Sequence, residues 1–582
     1  MRLVNVYTLE LEEFFDADIP EYAILSHTWG KDEVTFQDLC WLADYDKNRT
    51  IYASLEGLLS NLGQNMQAKA DSIRQRCGYD KIVQSARLAK ERYLEYVWVD
   101  TCCIDKTSSA ELSEAINSMY RWYEKSKICF AVLSDVTSTG DTRTGVRFED
   151  SRWFTRGWTL QELLAPREVL FYDGRWTKVG TRKHMADRLH HITSIPISAL
   201  GRNVWHGELV KGDFSLAQRM SWASQRQTSR KEDVAYCLLG LFDINMPLLY
   251  GEGERAFVRL QQEIIKQFSG QSILAWGMNR PLTVGSLRSK SSPPTIFAPS
   301  PVEFADAKIL DGDNQGVPFQ LNNRGLQIPL EIFNIVHPDI CCAPWDVMFE
   351  HDNMEDGGHI CLLQPLLQVG NAREYIYMED GQEMMKCAWP VPVVHSRLPL
   401  SRSRKKILVM ELHQPTQLTN AFRYLGLHFD FDAEATVVES FPPVFSDNRF
   451  CMDVTRGVLL FRFVLSDTYA DLPTAKGHPV KQFVVAVDIE SDSRGFKLGD
   501  QGFERSATAV CAWTGYVGDG TGRKGGPYVS LLDAFLGEEK LLDMNQWTDD
   551  RITYDDRVLS VHVDVRSDSK GHLCPDIEFE LV

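Results

Sequence analysis

The chain has 582 residues, more than a single hydrophobic core supports, so two to four domains are expected. Hydrophobic residues make up 44% and charged residues 24%, an ordinary globular composition that argues against extended disorder. A formal net charge of -18 without a long Lys/Arg cluster argues against nucleic acid as a partner, because such a surface repels a phosphate backbone.

The one short basic run, Arg402 to Lys406, reads as a solvated loop. No stretch reaches the roughly 18 apolar residues that would span a bilayer. The start, Met1-Arg-Leu-Val-Asn-Val-Tyr7, runs into an acidic stretch and lacks a signal peptide's apolar core, so a cytoplasmic location is expected. The 13 cysteines are scattered, include the adjacent pairs Cys102-Cys103 and Cys341-Cys342, and lack the C-x-x-C spacing with which two thiolates grip zinc. They read as reduced core residues, with no metal site.

In chain order, Tyr22-Ala-Ile-Leu-Ser26 is the first buried-strand candidate. Asp80 is placed to cap a helix whose apolar positions Ile82, Ala86, Ala89 and Tyr93 follow the helical period. A second strand, Tyr96-Val-Trp-Val99, precedes Ser108 and Glu111, a capping-box pair opening a helix with Leu112, Ala115, Ile116, Met119 and Tyr123 on one face. Strands follow at Ile128–Leu133 and Glu168–Tyr172, with a loop running into a helix over Ser151–Leu164 between them. Strands joined through helices imply parallel crossovers, hence an α/β, doubly wound sheet buried on both faces.

From Ser215 to Gln267 the pattern is mostly helical, with Phe257, Leu260, Ile264 and Phe268 along one stripe. The polar stretch Ser286–Pro294 reads as a linker. Beyond it Leu326–Ile332, Val458–Val464, Phe483–Val487 and Val561–Val565 are strand-like, so a β-rich, sandwich-like domain is expected. The assigned organisation is 1–280, with an α/β core over about 1–180 and a helical part over about 181–280, a linker at 281–296, and the β-rich domain at 297–582. Gly518-Asp-Gly-Thr-Gly-Arg-Lys-Gly525 lacks phosphate-loop spacing and reads as a turn.

Ligands of an open parallel sheet bind beyond the carboxyl ends of its strands, where loops converge. That rule selects Ser26-His-Thr-Trp-Gly30, Asp100-Thr-Cys-Cys-Ile-Asp105, and the loop from Ser134-Asp135 to Arg156-Gly-Trp-Thr-Leu-Gln-Glu162. Each residue also has a structural reading. Trp29 and Trp158 suit a core or interface, His27 suits a local hydrogen bond, and Asp100 and Asp105 suit turn caps. Glu162, near a helix start, suits the helix dipole. A Cys102/His27 hydrolase is a further reading, without a local signature to support it.

At these same segments the chain resembles the fungal HET (heterokaryon incompatibility) family. The stretches are Tyr22–Gly30, Tyr96–Asp105, Arg156-Gly-Trp-Thr-Leu-Gln-Glu-Leu-Leu-Ala-Pro166, Ala217–Ala223, Glu232–Gly240 and Met246–Gly253, within residues 1 to 280. The resemblance implies a role in non-self recognition and programmed cell death. HET domains are also distantly similar to TIR domains, which have a flavodoxin-like sheet. Trp158-Thr-Leu-Gln-Glu-Leu163 resembles the Trp-Cys-Leu-x-Glu-Leu of TIR domains, departing at Thr159; the glutamate of that motif supports NAD cleavage.

The resemblance therefore implies an NAD glycohydrolase with Glu162 catalytic. Ser26, His27, Trp29, Asp100, Arg156 and Trp158 become substrate-binding candidates, Arg156 for a phosphate oxygen and a tryptophan for a ring. NAD is then a substrate, no cofactor is required, and self-association or other cell-death proteins are the expected partners. The alternative is a non-catalytic signalling module that triggers death by recruiting partners.

Overall fold

A computed structural model describes residues 1–15, 18–55, 60–137, 146–201, 214–277 and 296–305, and beyond these mainly strand segments within 309–581. Two compact units emerge. The first holds Met1–Phe214, Arg219–Ile264 and Pro299–Asp306; the second holds Ser215–Gln218, Ile265–Ala298 and Ala307–Val582. The Ser286–Pro294 stretch and the glycine-rich Gly518–Gly525 lie outside the described residues.

The first unit is mixed α/β around a mainly parallel seven-stranded sheet. Its strands are β1 (Arg2–Asn5), β2 (Leu11–Glu13), β3 (Tyr22–His27), β4 (Tyr96–Trp98), β5 (Ile128–Leu133), β6 (Val169–Asp173) and β7 (Lys178–Thr181), in the order β2-β1-β4-β3-β5-β6-β7. The β4-β3-β5-β6 core is parallel; β1, β2 and β7 are antiparallel additions at its margins. Every residue of β3, β5 and β6 is buried, as their unbroken apolar runs require of strands covered on both faces. The chain leaves β3 towards β4 on one side and returns to β5 on the other. The carboxyl end of β3 is therefore a topological switch point, where neighbouring crossovers diverge and open a crevice.

Helices α1 (Phe36–Leu55), α2 (Ser60–Arg74) and α3 (Cys77–Lys90) connect β3 to β4. Asp80 does not cap α3. The helix begins three residues earlier, so Asp80 sits in its first turn, where its carboxylate accepts from Gln84. Helix α4 (Asp100–Cys103) is one short turn, and α5 (Ser109–Lys125) leads to β5. The Ser108 hydroxyl caps α5 by accepting from the Glu111 amide at 3.3 Å. Glu111 does not close a reciprocal box: its carboxylate takes the Asp105 amide at 2.7 Å and the Arg2 guanidinium. Ala115, Ile116, Met119 and Tyr123 form the buried face.

Between β5 and β6 the chain runs through a 3-10 turn, Arg152–Thr155, into α6 (Thr159–Leu164), all six of whose residues are buried. Trp153, Phe148, Phe154 and Phe171 pack edge-to-face with ring centroids 5.2–5.7 Å apart, except for the more tilted Phe154–Phe171 pair. Each edge-to-face pair adds about 1 kcal/mol beyond burial and anchors this crossover on β6. At the far end of α6 the buried Arg182 guanidinium donates to the Leu163, Leu164 and Arg167 carbonyls, satisfying groups a helix terminus leaves unpaired.

In the second unit the described strands pair mainly antiparallel. Gly325–Glu331 lies against Arg404–Met410, Arg456–Leu465 against Gln482–Glu490, and Arg557–Ser567 against Leu573–Leu581. Arg404, Lys405 and Lys406 thus begin a strand, where the sequence suggested a loop. Among the described residues, no helix is long and apolar enough to cross a membrane.

Candidate functional site

The three strand-end segments meet at the switch point. Ser26, the penultimate residue of β3, is fully buried, and its hydroxyl donates to Glu162 Oε2 at 2.5 Å. The Ser26 hydroxyl oxygen in turn accepts from the indole N–H of Trp153 at 2.9 Å. Glu162 therefore turns its carboxylate across to a residue 136 positions away, not back onto the amides of α6. Glu162 lies in the first turn of α6, where the dipole reading put it, while its carboxylate is hydrogen-bonded to Ser26.

Burial pushes the Glu162 carboxyl up to about 8, and the like charge of Asp100 adds to the rise. The Ser26 hydrogen bond and the charges of Arg226 and Arg156 pull the other way, without cancelling the burial. The Tyr123 hydroxyl, also fully buried, donates to the Leu25 carbonyl at 3.0 Å. Its pKa rises well above the usual range, first through burial and then through the Glu162 charge.

A second cluster adjoins this one. The Trp29 indole N–H donates to Asp100 Oδ2 at 2.8 Å, and the Lys106 ammonium lies 3.6 Å from the Trp29 ring centroid and 3.8 Å from Asp100. Trp29 is 49% exposed, so part of the ring is open to a stacking partner. Burial lowers the Lys106 pKa. Glu33 takes the Lys81 ammonium and the Gly30 amide.

His27 lies 3.8 Å from Glu33 and 3.9 Å from Asp100, and neither ring nitrogen makes a hydrogen bond. Burial drives its pKa down to about 4, outweighing the nearby carboxylates, so the ring is neutral in the folded chain. The local hydrogen bond expected of His27 is not among its contacts. Between pH 4 and 6.5 the unfolded chain binds the proton that folded His27 refuses, so this residue makes stability fall as pH drops through that window. Chemical denaturation should show the wild type losing on the order of 2 kcal/mol relative to His27→Leu between pH 7 and 4. Parallel pH dependences would contradict a neutral buried ring.

The remaining candidates divide. Arg156 reaches Ser229 at 3.2 Å while its charge acts on Glu162. Trp158 points its indole N–H at Asp233, at 3.3 Å, and lies outside the hydrogen bonds around Glu162. Asp105 takes the Thr107 amide, as a turn cap does. Cys102 and Cys103 are buried side by side; their mutual hydrogen bond and burial raise the Cys102 thiol well above its usual value. A nucleophilic thiolate needs the opposite environment. Cys102→Ala should leave any turnover within about twofold of wild type, as measured on folded protein, whereas a hydrolase built on Cys102 would lose it altogether.

Sequence reasoning missed Trp153, Arg152 and Glu33. Arg152 donates to Thr28 Oγ1 at 3.1 Å and, through its amide, to Asp135, tying the third segment to the first. The only advance signal was an aromatic and a cation immediately before the Arg156–Glu162 run.

Comparison with known proteins matches part of this unit. Residues 22–147, which carry Ser26, His27, Trp29 and Asp100, match the family model described as Heterokaryon incompatibility protein (HET). Over residues 22–147 the chain matches a HET domain. A curated relative, Vegetative incompatibility protein HET-E-1 of Podospora anserina, is 41% identical over 256 residues. That match covers 43% of this chain and 16% of HET-E-1, so the chain matches only a small part of that relative's length. The family match ends at residue 147, before the Arg156–Glu162 segment. The wild-type lectin XCL of Xerocomus chrysenteron aligns with 27% of the chain and 99% of its own length, at 12% identity. Its TM-score of 0.16 carries no argument.

Proposed function

We propose that the HET domain cleaves NAD at the nicotinamide–ribose bond and that the protein acts through this in non-self recognition and programmed cell death. The supporting observation is a buried carboxylate, Glu162, joined to Ser26 at the carboxyl end of the switch-point strand. The parallel order β4-β3-β5-β6 corresponds to 2-1-3-4 along the chain, the flavodoxin-like winding that TIR domains share. The name of HET-E-1, a vegetative incompatibility protein, supports the biological setting. We read residues 297–582 as a β-rich domain that acts as a ligand sensor, an inhibitory lid or a structural partner.

Breaking the nicotinamide–ribose bond builds positive charge on the ribose, as in the oxocarbenium state of glycoside hydrolysis. A carboxylate fixed beside the ribose in a water-poor site stabilises that charge strongly. Nicotinamide leaves neutral, so no general acid is required. Ser26 and Trp153 hold the carboxylate in place, and the open face of Trp29 offers a platform for a ring. The test is release of nicotinamide from NAD by the purified chain, compared with Glu162→Gln.

A second reading, a non-catalytic module that recruits partners, draws on the depth of Glu162, which is 7% exposed. A buried, hydrogen-bonded carboxyl also serves packing alone. That reading requires Glu162→Gln to retain toxicity while surface charge reversals lose it.

A further inference from the structure

Arg226 lies on the segment after Leu216–Ser221, 64 residues beyond Glu162, and belongs to none of the strand-end segments. The residue is half-buried, with its guanidinium turned into the first unit. Its Nη1 donates to the Arg156 carbonyl at 2.8 Å and to Thr159 Oγ1 at 2.9 Å, and its Nε donates to the Trp222 carbonyl at 3.3 Å. Its Nη2 is buried without a hydrogen-bond partner. A buried guanidinium with an unused donor is costly, and its retention calls for a counter-charge within reach.

The backbone brings Arg226 to this place. The Gln227 amide donates to the Thr155 carbonyl at 2.6 Å, and the Gly157 amide to the Gln227 carbonyl at 2.9 Å. Gly157 permits the approach, because a Cβ there would meet the Thr228 methyl at 2.5 Å. From Thr159 the path continues: its hydroxyl lies 2.5 Å from the Trp153 carbonyl, the Trp153 indole binds Ser26, and Ser26 binds Glu162.

We propose that Arg226 is a positioning residue for Glu162: its guanidinium pins the start of α6, the helix that carries Glu162. Its charge also pulls the Glu162 carboxyl down, against the effect of burial. One arginine thereby grips both supports of that carboxylate, its own helix and, through Thr159 and Trp153, the Ser26 hydroxyl. Thr159, where the TIR-like motif has cysteine, provides the oxygen that accepts from Arg226. A thiol would be a weaker acceptor there. The inference rests on Glu162 being the working carboxylate, so its test includes readings that do not depend on turnover.

Isotope-edited infrared spectroscopy of the protonated Glu162 carboxyl, recorded against pH, gives its titration midpoint directly in the full chain. In Arg226→Gln that midpoint should move upward, and kcat/KM at neutral pH should fall about tenfold. Arg226→Lys keeps the charge and loses the fork; it should hold the midpoint near wild type but speed hydrogen exchange of the Trp153 indole N–H. An unmoved midpoint in folded Arg226→Gln overturns the proposal. If that variant does not fold, unchanged indole exchange in Arg226→Lys overturns it. A moved midpoint in a chain that releases no nicotinamide would sustain the role of Arg226 and refute NAD cleavage.

Discussion

Between pH 6 and pH 9, kcat/KM for nicotinamide release should rise about a hundredfold and level off above about 8. Under the proposed NAD cleavage only an ionised Glu162 would stabilise a ribosyl cation, and burial pushes its carboxyl up to about 8 in the free protein. kcat/KM reports the free enzyme, so below that value each unit of pH removes about tenfold. The profile of kcat should break at lower pH. NAD brings a positively charged nicotinamide ring to the site, and an adjacent positive charge favours the carboxylate. Substrate binding would thus ionise the group that the reaction needs. Steady-state rates from pH 5 to 9 check this, and a kcat/KM that is flat or falls across the range would contradict it.

Glu162→Gln should lose about a thousandfold in kcat while gaining stability at high pH. The amide fills the same space and can accept the Ser26 hydroxyl, but it carries no charge to oppose the developing cation. The stability effect follows from linkage. Glu162 titrates near 4.5 when unfolded and near 8 when folded, so the native chain holds more protons throughout that window. Wild-type stability is therefore present in full below about 4.5 and declines as pH rises towards 8. The variant, free of this penalty, should exceed wild type by on the order of 3 kcal/mol at pH 9 and match it at pH 4. Denaturant unfolding at the two pH values measures the difference. Equal stabilities at both would mean that the carboxyl is not held in a raised state.

The legible parts of the fold were those where burial on both faces leaves unbroken apolar runs. Strands at Tyr22–His27, Ile128–Leu133 and Val169–Asp173 were found for that reason. The antiparallel margins Arg2–Asn5, Leu11–Glu13 and Lys178–Thr181 escaped notice. They are short, partly exposed, and specified by pairing partners rather than by their own pattern. Asp80 misled because a good capping residue also suits the first turn.

The same division holds at the site. Strand-end logic singled out Ser26, Asp100 and Glu162, whose positions follow from the topology whatever their partners. Trp153 and Arg226 depend on contacts made across 127 and 67 to 70 residues of chain. No local spacing records such contacts. Trp158 has a further partner that the motif does not record: its indole donates to Asp233, and Tyr250 binds the other oxygen of that carboxylate.

The most direct test is to incubate the purified full chain with NAD at pH 8.5, where Glu162 is mostly ionised, and to quantify nicotinamide by chromatography. Glu162→Gln, verified as folded by circular dichroism, is run in parallel. Nicotinamide should accumulate with the wild type and stay at the background level with the variant. Release at equal rates from both proteins would contradict a catalytic Glu162.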